Sequence, residues 1–364
     1  LGVHIADVSH YVVSQKAIDR EAYKRGTSVY LVDRVIPMLP EVLSNGICSL
    51  NAGEDRYAMT CMMEIDAHGK VVNYRIQPSI IHVNRRCSYK EIYKALTEDI
   101  IPDDLAPLML MIHNLSDIAK TLNDMRRRRG ALDFDFPEYK VLLDTEGTPL
   151  RIVRRDRTLA ERLIEECMLI ANETVATHLK NTNRTSVYRI HETPSEEKMS
   201  MYQKVLNYLG QDIRLHLDEL EPRVFQHILD AVKGTDIEQV AQIMTLRSMQ
   251  QAKYSIDNAG HFGLASKCYT HFTSPIRRYP DLMVHRLLKA DMGWPDGYAN
   301  RDTKTEFLER AAVHSSEREQ VAVAAERDTV DLKKTQYMVP FIGEVFEGKI
   351  SSITSFGMFV ELDN

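Results

Sequence analysis

Two neighbouring stretches that alternate apolar and polar residues are the strongest constraint on how this chain can fold. They cover residues 57–66 and 70–83 and are separated by Ala67, His68 and Gly69. Alternation with a period of two places alternate side chains on opposite faces of a strand, and a short glycine-containing connection joins two such strands into an antiparallel hairpin. The sequence therefore predicts a sheet that contains this hairpin.

Helical segments follow the hairpin. Two long helices are predicted, over roughly residues 103–129 and 158–179, and Thr158 with Glu161 three positions later forms a capping box that defines the start of the second. A rotation of about 100° per residue then divides this helix into a polar arc and an apolar side. The polar arc contains Glu161, Glu165 and Asn172, with Glu166 at its border, and the apolar side contains Leu159, Leu163, Cys167 and Ile170.

The remaining segments complete a mixed α/β fold. Residues 1–12 are typical of a buried strand with no turn before it, so we expect the domain to begin upstream of Leu1. The segment around 132–155 is β-like, and the rest is predicted to be helical to about residue 335 apart from a loop at 257–280. With 364 residues, of which 44% are hydrophobic, the chain can bury a large core.

The last 25 residues have a different character. Two short β-type runs are punctuated by glycines, and the run containing Ser355-Phe356-Gly357-Met358-Phe359 resembles a strand of an OB-type RNA-binding barrel. We expect this segment to form the first two strands of such a barrel. The aromatic side chains Phe346, Phe356 and Phe359 would stack on bases if they are exposed, and core packing is the alternative.

Composition excludes several classes of protein. Charged residues make up 27% of the chain, and no apolar run approaches the roughly 20 residues that cross a bilayer, so we expect no membrane association. No secretion signal is recognisable, which predicts a cytoplasmic location. The net charge of −6 argues against a protein that coats nucleic acid by charge alone, although arginines cluster at 126–129 and 151–157.

The cysteines carry little functional information. They are widely scattered and lack the C-x-x-C spacing of zinc sites and redox pairs, so we interpret them as buried free thiols. They are Cys48, Cys61, Cys87, Cys167 and Cys268.

The segment with the most chemical information is GHFGLASKCYTHFTSPIRRYPDLMVHRLLKA, residues 260–290. Pro280 disfavours helical geometry at Tyr279 and suits the first position of a helix. Arg277 and Arg278 are therefore predicted to lie directly before a helix N-terminus, where guanidinium groups and unpaired backbone N–H groups together attract phosphate. A surface ion pair is the alternative for an isolated Arg-Arg pair at such a place.

This segment resembles the signature of the ribonuclease II and ribonuclease R family, in which S-P-I-R-[RK]-[YF] marks the active site. The resemblance extends over essentially the whole chain, and the forms SHYV, YRIHETPS and HFTSPIRRYPDL are more similar to the ribonuclease R branch. It implies an RNB-type catalytic domain over residues 1–338, built as a sheet wrapped by helices around an RNA channel. The start of an OB-type RNA-binding domain would follow at residues 339–364.

The resemblance also implies three catalytic residues. The family arginine that contacts the scissile phosphate corresponds to Arg277 in Ser274-Pro275-Ile276-Arg277. The active-site glutamate lies in the first Glu-Glu pair of L-I-E-E, and the register points to Glu165, for which a solvated helix carboxylate is the alternative. Tyr89, in Arg85-Arg86-Cys87-Ser88-Tyr89, corresponds to the tyrosine near the last phosphodiester.

Three further residues are implied to bind RNA. Tyr30 and Phe134 correspond to the aromatic pair that stacks on the terminal nucleotides, and Arg278 lies beside Arg277. Stacking on each base contributes roughly 1–3 kcal/mol without reading its identity, which suits an enzyme that digests any sequence. For Phe134, the residue pattern by itself favours a place in the core.

The family binds magnesium through aspartates of the pattern D-x-x-x-x-x-D-x-D-D, and this pattern is absent from the sequence. The resemblance places that cluster shortly before the strand that opens this chain, so we expect it upstream of Leu1. Asp7, Asp133 and Asp135 lack the required spacing and are interpreted as strand-end or loop residues. We therefore expect these residues alone to bind RNA but to hydrolyse it poorly, because two cations supply the activated water and stabilise the leaving oxygen.

Taken together, the resemblance predicts a processive 3′→5′ exoribonuclease that hydrolyses single-stranded RNA with a free 3′ end to nucleoside 5′-monophosphates. Mg²⁺ is the expected cofactor and the expected oligomeric state is a monomer. An RNA-binding pseudoenzyme, in which the RNA channel is kept and the metal site is lost, is the alternative function. Selection of RNA over DNA would depend on the 2′-hydroxyl.

Overall fold

The computed structural model describes residues 1–134, 138–208, 210, 220–235, 237–294 and 300–362. The chain divides into two compact units. The first comprises Leu1–Ser28, Pro37–Phe134 and Thr158–Glu319, and the second comprises Val29–Ile36, Asp135–Arg157 and Gln320–Asn364.

Runs of strands and runs of helices follow one another along the chain, and the fold is of the mixed α/β kind. The strands are β1 (Gly2–Ala6), β2 (Val29–Tyr30), β3 (Val35–Ile36), β4 (Asp55–Ile65), β5 (Val71–His82), β6 (Glu138–Leu143), β7 (Pro149–Arg155), β8 (Tyr188–Ile190), β9 (Lys253–Ser255), β10 (Gly348–Thr354) and β11 (Gly357–Leu362). The α-helices are α1 (Val8–Tyr11), α2 (Ala17–Arg25), α3 (Tyr89–Thr97), α4 (Met109–Arg129), α5 (Leu159–Asn181), α6 (Glu196–Tyr208), α7 (Pro222–Val232), α8 (Glu238–Ser248), α9 (Tyr279–Asp291) and α10 (Thr305–Met338).

The predicted hairpin is confirmed as the pair β4 and β5, which forms an antiparallel sheet in the order β1-β4-β5. The carboxylate of Asp66 closes the turn by accepting hydrogen bonds from the N–H groups of His68 and Lys70, both at 2.9 Å. Gly69 has a φ of +84°, and a Cβ there would lie 2.9 Å from the Cβ of Met125 in α4. A side chain at Gly69 would therefore meet both backbone strain and a packed helix.

Helices α4 and α5 pack on each other, and α5 also contacts β1 and β5. The capping box predicted at the start of α5 is confirmed, because Thr158 and Glu161 form both of its hydrogen bonds. The main hydrophobic core lies between the sheet and the helices of the first unit, with contributions from β1, β4, α5 and α9. Residues of α9, the last part of the segment 260–290, belong to this core.

Four expectations about local structure were wrong. The opening strand expected over residues 1–12 ends at Ala6, and Val8–Tyr11 form helix α1. Strands β8 and β9, which pair Tyr188 with Ser255, interrupt the region that was expected to be helical. Strands of three residues are too short for their periodicity to be recognised. Cys87 is exposed in the coil before α3, whereas the other four cysteines are buried. Helix α9 begins at Tyr279 rather than Pro280, with Arg278 as its N-cap.

The second unit consists of the antiparallel pairs β2–β3, β6–β7 and β10–β11 together with the C-terminal part of α10. The pair β6–β7 confirms the β-like segment expected around 132–155. The Lys333 ammonium donates a hydrogen bond of 2.6 Å to the Gly147 carbonyl. Among the described residues, no helix combines the length and the apolar character that a membrane span requires.

Candidate active site

The backbone of Arg277 is held at both of its polar groups, while its side chain is exposed. Its N–H donates to the Ser274 carbonyl at 3.2 Å, and its carbonyl accepts hydrogen bonds from the Ser28 N–H at 2.9 Å and the Thr27 hydroxyl at 3.0 Å. The guanidinium has no hydrogen-bond or ion-pair partner within the part of the chain that the structure describes. Arg277 thus presents an unpaired cation from an anchored backbone.

Arg278 has the opposite environment. Its Nε and Nη2 atoms donate to the two carboxylate oxygens of Asp281, each at 2.8 Å. Asp281 is fully buried, and its Oδ1 atom also accepts the Ser274 N–H at 2.7 Å. The pair therefore closes the turn that carries Arg277. The ion pair stated as the alternative for the two arginines therefore applies to Arg278, although the pair is buried rather than at the surface. The spacing of three residues is one at which side chains on a helix meet.

The two neighbouring glutamates of α5 are in different surroundings. Glu166 is buried and accepts hydrogen bonds from Arg126 in α4 through both oxygens, at 2.7 and 2.8 Å, and from the Asn123 side-chain amide at 2.9 Å. Glu165 is half-buried. Burial lowers the pKa of Arg126, but its hydrogen-bonded partner Glu166, with smaller contributions from Asp133 and Glu165, raises it above its usual value.

Asn172 was expected on the polar arc of α5, but it is buried. Its side-chain NH₂ group donates to the Tyr269 hydroxyl, and its side-chain oxygen accepts the Phe272 N–H, both at 2.9 Å. The carbonyl of Phe272 accepts a hydrogen bond of 2.8 Å from His285 in α9. Asn172 of α5 and His285 of α9 therefore both bind the segment that leads to Arg277.

Tyr89 is the first residue of α3 and is 47% exposed. Ser88 caps this helix in a capping box with Glu91. The Arg85 guanidinium holds the cap by bonding to Glu91 at 2.6 Å and to Asp104 at 2.8 Å. Because α3 packs on α5, Tyr89 is carried by the element next to the helix of Glu165.

The two aromatic candidates belong to different units. Phe134 lies in the first unit, where it is partly buried against a cluster that includes Leu132 and Phe262. The Leu132 N–H donates to the Gly263 carbonyl at 2.8 Å, which ties this segment to the loop before Arg277. Tyr30 lies in the second unit, in β2, and is 42% exposed. The predicted roles of both aromatic residues stay predictions.

The described residues do not by themselves form a metal-binding cluster. No group of three or more His, Cys, Asp or Glu residues among them is arranged to hold an ion. Asp7 is buried and its carboxylate pairs with the Lys289 ammonium at 2.7 Å, so it is committed to an ion pair. Asp135 lies outside the described residues.

Comparison with known protein families finds two domain types in the chain. The model of the RNB domain matches residues 1–292, and that of the S1 RNA binding domain matches residues 339–364. The chain belongs to the RNB family. The mixed α/β RNB fold and the OB-type C-terminal segment predicted from the sequence are thereby confirmed. Ribonucleases of the RNB family are metal-dependent nucleases.

The curated relatives of this RNB chain include several ribonucleases R. That of Thermotoga maritima is 47% identical over the whole chain and that of Escherichia coli is 40% identical over the whole chain. Ribonuclease R 1 of Lactococcus lactis is 46% identical over the whole chain. The chain covers 51%, 46% and 45% of these three proteins, so it spans about half their length.

Solved structures give the same assignment. RNase R of Mycoplasma genitalium in complex with ribose-methylated single-stranded RNA matches all of this chain with a TM-score of 0.95 and 33% identity, over 57% of its own length. Yeast Ssd1, described as a pseudonuclease, matches 91% of the chain with a TM-score of 0.72 and 21% identity, over 40% of its own length. The latter likeness concerns the fold alone.

Proposed function

We propose that the whole protein is a processive 3′→5′ exoribonuclease that hydrolyses single-stranded RNA to nucleoside 5′-monophosphates. The observation that carries this proposal is the exposed Arg277 guanidinium, which has no partner among the described residues and stands on a backbone anchored by Ser28 and Thr27. The resemblance to ribonucleases R over the whole chain supports it. The M. genitalium neighbour was solved with single-stranded RNA and also with double-stranded RNA.

In this proposal Arg277 contacts the scissile phosphate. A guanidinium can donate two parallel hydrogen bonds to phosphoryl oxygens and offset the negative charge that grows on them in the transition state. Water forms the new bond to phosphorus, and the bond from phosphorus to the 3′ oxygen of the preceding nucleotide breaks. That oxygen leaves as a 3′-hydroxyl, and the terminal nucleotide departs as a 5′-monophosphate.

The other candidates bind and orient the strand. We assign Glu165 and the Tyr89 hydroxyl to contacts with the last nucleotides, and Tyr30 and Phe134 to stacking on their bases. Stacking does not read base identity, and the 2′-hydroxyl is the group by which a protein distinguishes RNA from DNA. Arg278 uses Nε and Nη2 for Asp281, so a direct RNA contact would use its Nη1 atom.

We further propose Mg²⁺ as the metal of the whole protein, a monomeric state and a cytoplasmic location. Mg²⁺ is the usual partner of carboxylates and phosphates in phosphoryl chemistry. The resemblance described above supports the choice of this ion. The S1 match at residues 339–364 supports a C-terminal contribution to RNA binding.

The test is hydrolysis by the whole protein of a 5′-labelled oligoadenylate in Mg²⁺, with products separated by length and mass. We expect AMP from the first time points, while the labelled RNA passes from full length to a short 5′ end product with few fragments of intermediate length, as processive digestion from the 3′ end requires. A 3′-phosphorylated oligomer and the matching DNA oligomer serve as controls and should resist. Internal cleavage would overturn the proposed direction of attack, and tight RNA binding without any hydrolysis would favour an RNA-binding pseudoenzyme.

A further inference from the structure

The orientation of Arg277 depends on its backbone rather than on its side-chain contacts. Because the guanidinium has no partner within the described residues, only the turn Ser274–Arg278 and the hydrogen bonds from Thr27 and Ser28 determine where the side chain starts. Whatever holds this turn therefore decides where the cation can reach. A buried side chain closes the turn from inside the protein.

The side chain that closes the turn Ser274–Arg278 from inside is that of Asp281. It is fully buried in the first turn of α9, and its carboxylate accepts three hydrogen bonds from the turn. One comes from the Ser274 N–H at 2.7 Å, and two come from Arg278 at 2.8 Å each. The first and last residues of the turn are thus bonded to one carboxylate. A bidentate pair between arginine and carboxylate fixes direction as well as distance.

The position of the Asp281 carboxylate strengthens its interactions with the turn. It lies in the first turn of α9, where the helix dipole favours a negative charge. Burial removes competing water, so each of the three hydrogen bonds is lost at full cost if its partner is removed. Arg278 itself is mostly shielded, with 17% of its side chain exposed. We call the Asp281–Arg278 pair the clasp, because it joins the two ends of the turn Ser274–Arg278.

We propose that Asp281 and Arg278 are positioning residues that aim Arg277 at the scissile phosphate. This inference rests on the proposed exoribonuclease function. The clasp does not touch the reacting atoms; it holds the two ends of the turn so that the neighbouring guanidinium is presented in one direction. Displacement of a catalytic group by about 1 Å can cost about 10²-fold in rate. The clasp is therefore expected to influence kcat rather than RNA affinity.

The experiment compares Asp281→Asn with wild type in the whole protein, measuring kcat and KM on single-stranded oligoadenylate. Asparagine has the same shape but turns either an oxygen or an NH₂ group toward Arg278, so the bidentate pair is lost while Ser274 can keep its acceptor. We expect kcat to fall by about 10–10²-fold, as for a displaced catalytic group, with KM changed less than about twofold. Arg278→Lys should lower kcat by a similar factor, because an ammonium lacks the planar fork.

Glu173→Gln is the matched control. Glu173 is the acceptor of another bidentate arginine pair in the same unit, with Arg129 at 2.5 and 3.0 Å, and 13% of its side chain is exposed. It should lose stability in a similar way but keep kcat. If Glu173→Gln lowers kcat as much as Asp281→Asn does at an equal folded fraction, the effect is general loosening and the proposal is overturned.

The decisive measurement repeats Asp281→Asn in an Arg277→Ala background. If Asp281 acts by aiming Arg277, its removal should lower kcat by less than about twofold once Arg277 is gone, because the two changes remove one shared effect. An undiminished factor in that background would overturn the proposal. So would a folded Asp281→Asn protein with wild-type kcat.

Hydrogen exchange of the peptide spanning residues 272–282 provides a readout that needs no turnover. Exchange should accelerate in Asp281→Asn and Arg278→Lys and remain unchanged in Glu173→Gln. Unchanged protection in Asp281→Asn would show that the carboxylate does not hold the turn. If the wild-type protein hydrolyses no RNA, the proposed function fails, and hydrogen exchange still decides whether the clasp exists.

Discussion

At the scale of single residues, Arg277 and Arg278 show how neighbours in sequence acquire different chemistry. Arg278 is the N-cap of α9 and turns its guanidinium back onto Asp281, three residues later. Arg277 precedes the cap, and its side chain is exposed. Because Arg278 already donates from two of its nitrogens to Asp281, the guanidinium of Arg277 is better suited to bind a phosphate.

Arg277→Ala should lower turnover by about 10²–10³-fold, which is the range for loss of one transition-state donor. Arg277→Lys should recover little of this loss, because the ammonium cannot form the bidentate contact. Single-turnover rates on oligoadenylate measure the effect. The melting temperature should stay near that of wild type, since Arg277 is exposed and unpaired; a large drop would instead identify a structural role.

Measurements of RNA affinity and melting temperature should distinguish the roles of the two aromatic candidates. Tyr30→Ala should weaken RNA binding by roughly 1–3 kcal/mol with little change in melting temperature, because the ring is 42% exposed. Phe134→Ala should weaken RNA binding similarly but also lower the melting temperature, because its ring packs against Leu132 and Phe262. Affinity is measured at constant salt. Phe134→Ala with normal RNA affinity would remove Phe134 from the site.

At the scale of elements, the pairing of α4 with α5 places Glu165. The buried Arg126–Glu166 pair joins the two helices through two hydrogen bonds, and the Asn123 amide adds a third. This arrangement assigns the buried position to Glu166 and leaves Glu165 half-buried. Because successive helix residues are rotated by about 100°, α5 buries Glu166 against α4 and leaves the adjacent Glu165 half-buried.

Glu166→Ala should destabilise the protein by about 3–5 kcal/mol, because it leaves the Arg126 charge buried without its partner. Urea denaturation measures this change. Glu165→Ala is the matched control on the adjacent position and should change stability much less, because its side chain is only half-buried. Equal losses for the two variants would contradict the division of roles inferred from the structure.

At the scale of the whole molecule, partly and fully buried histidines couple stability to pH. Burial, assisted by the neighbouring His191, lowers the pKa of His261 to about 3 from its ordinary value of 6.5. Burial also lowers the pKa values of His191, His271 and His285. The folded protein therefore favours neutral imidazoles at these places.

Stability should decline as the pH falls from 6.5 toward 3. A folded pKa below the unfolded one means that the unfolded chain binds protons first, so the contribution of His261 is complete above 6.5 and is lost progressively below it. Urea midpoints at pH 7 and pH 5 measure the decline. His261→Gln should show a smaller decline than wild type, and parallel declines would exclude His261 as a contributor.

Much of the local structure is determined by the sequence itself. The hairpin β4–β5 and the capped start of α5 follow from alternation and from a four-residue motif, and both are confirmed. These features depend on contacts between residues close in the chain, which backbone geometry and side-chain spacing dictate directly. The signature Ser274–Arg278 likewise led to the RNB family, which the family model confirms.

Only the tertiary structure decided which polar side chains are committed to the fold. The hydroxyl of Thr27 reaches the Arg277 carbonyl across 250 positions of sequence, and Asn172 binds Phe272 across 100. Periodicity places Asn172 on a polar arc but cannot show that a loop covers that arc. It likewise cannot distinguish the paired Arg278 from the unpaired Arg277, because the difference lies in which acceptor the folded chain brings within hydrogen-bonding distance.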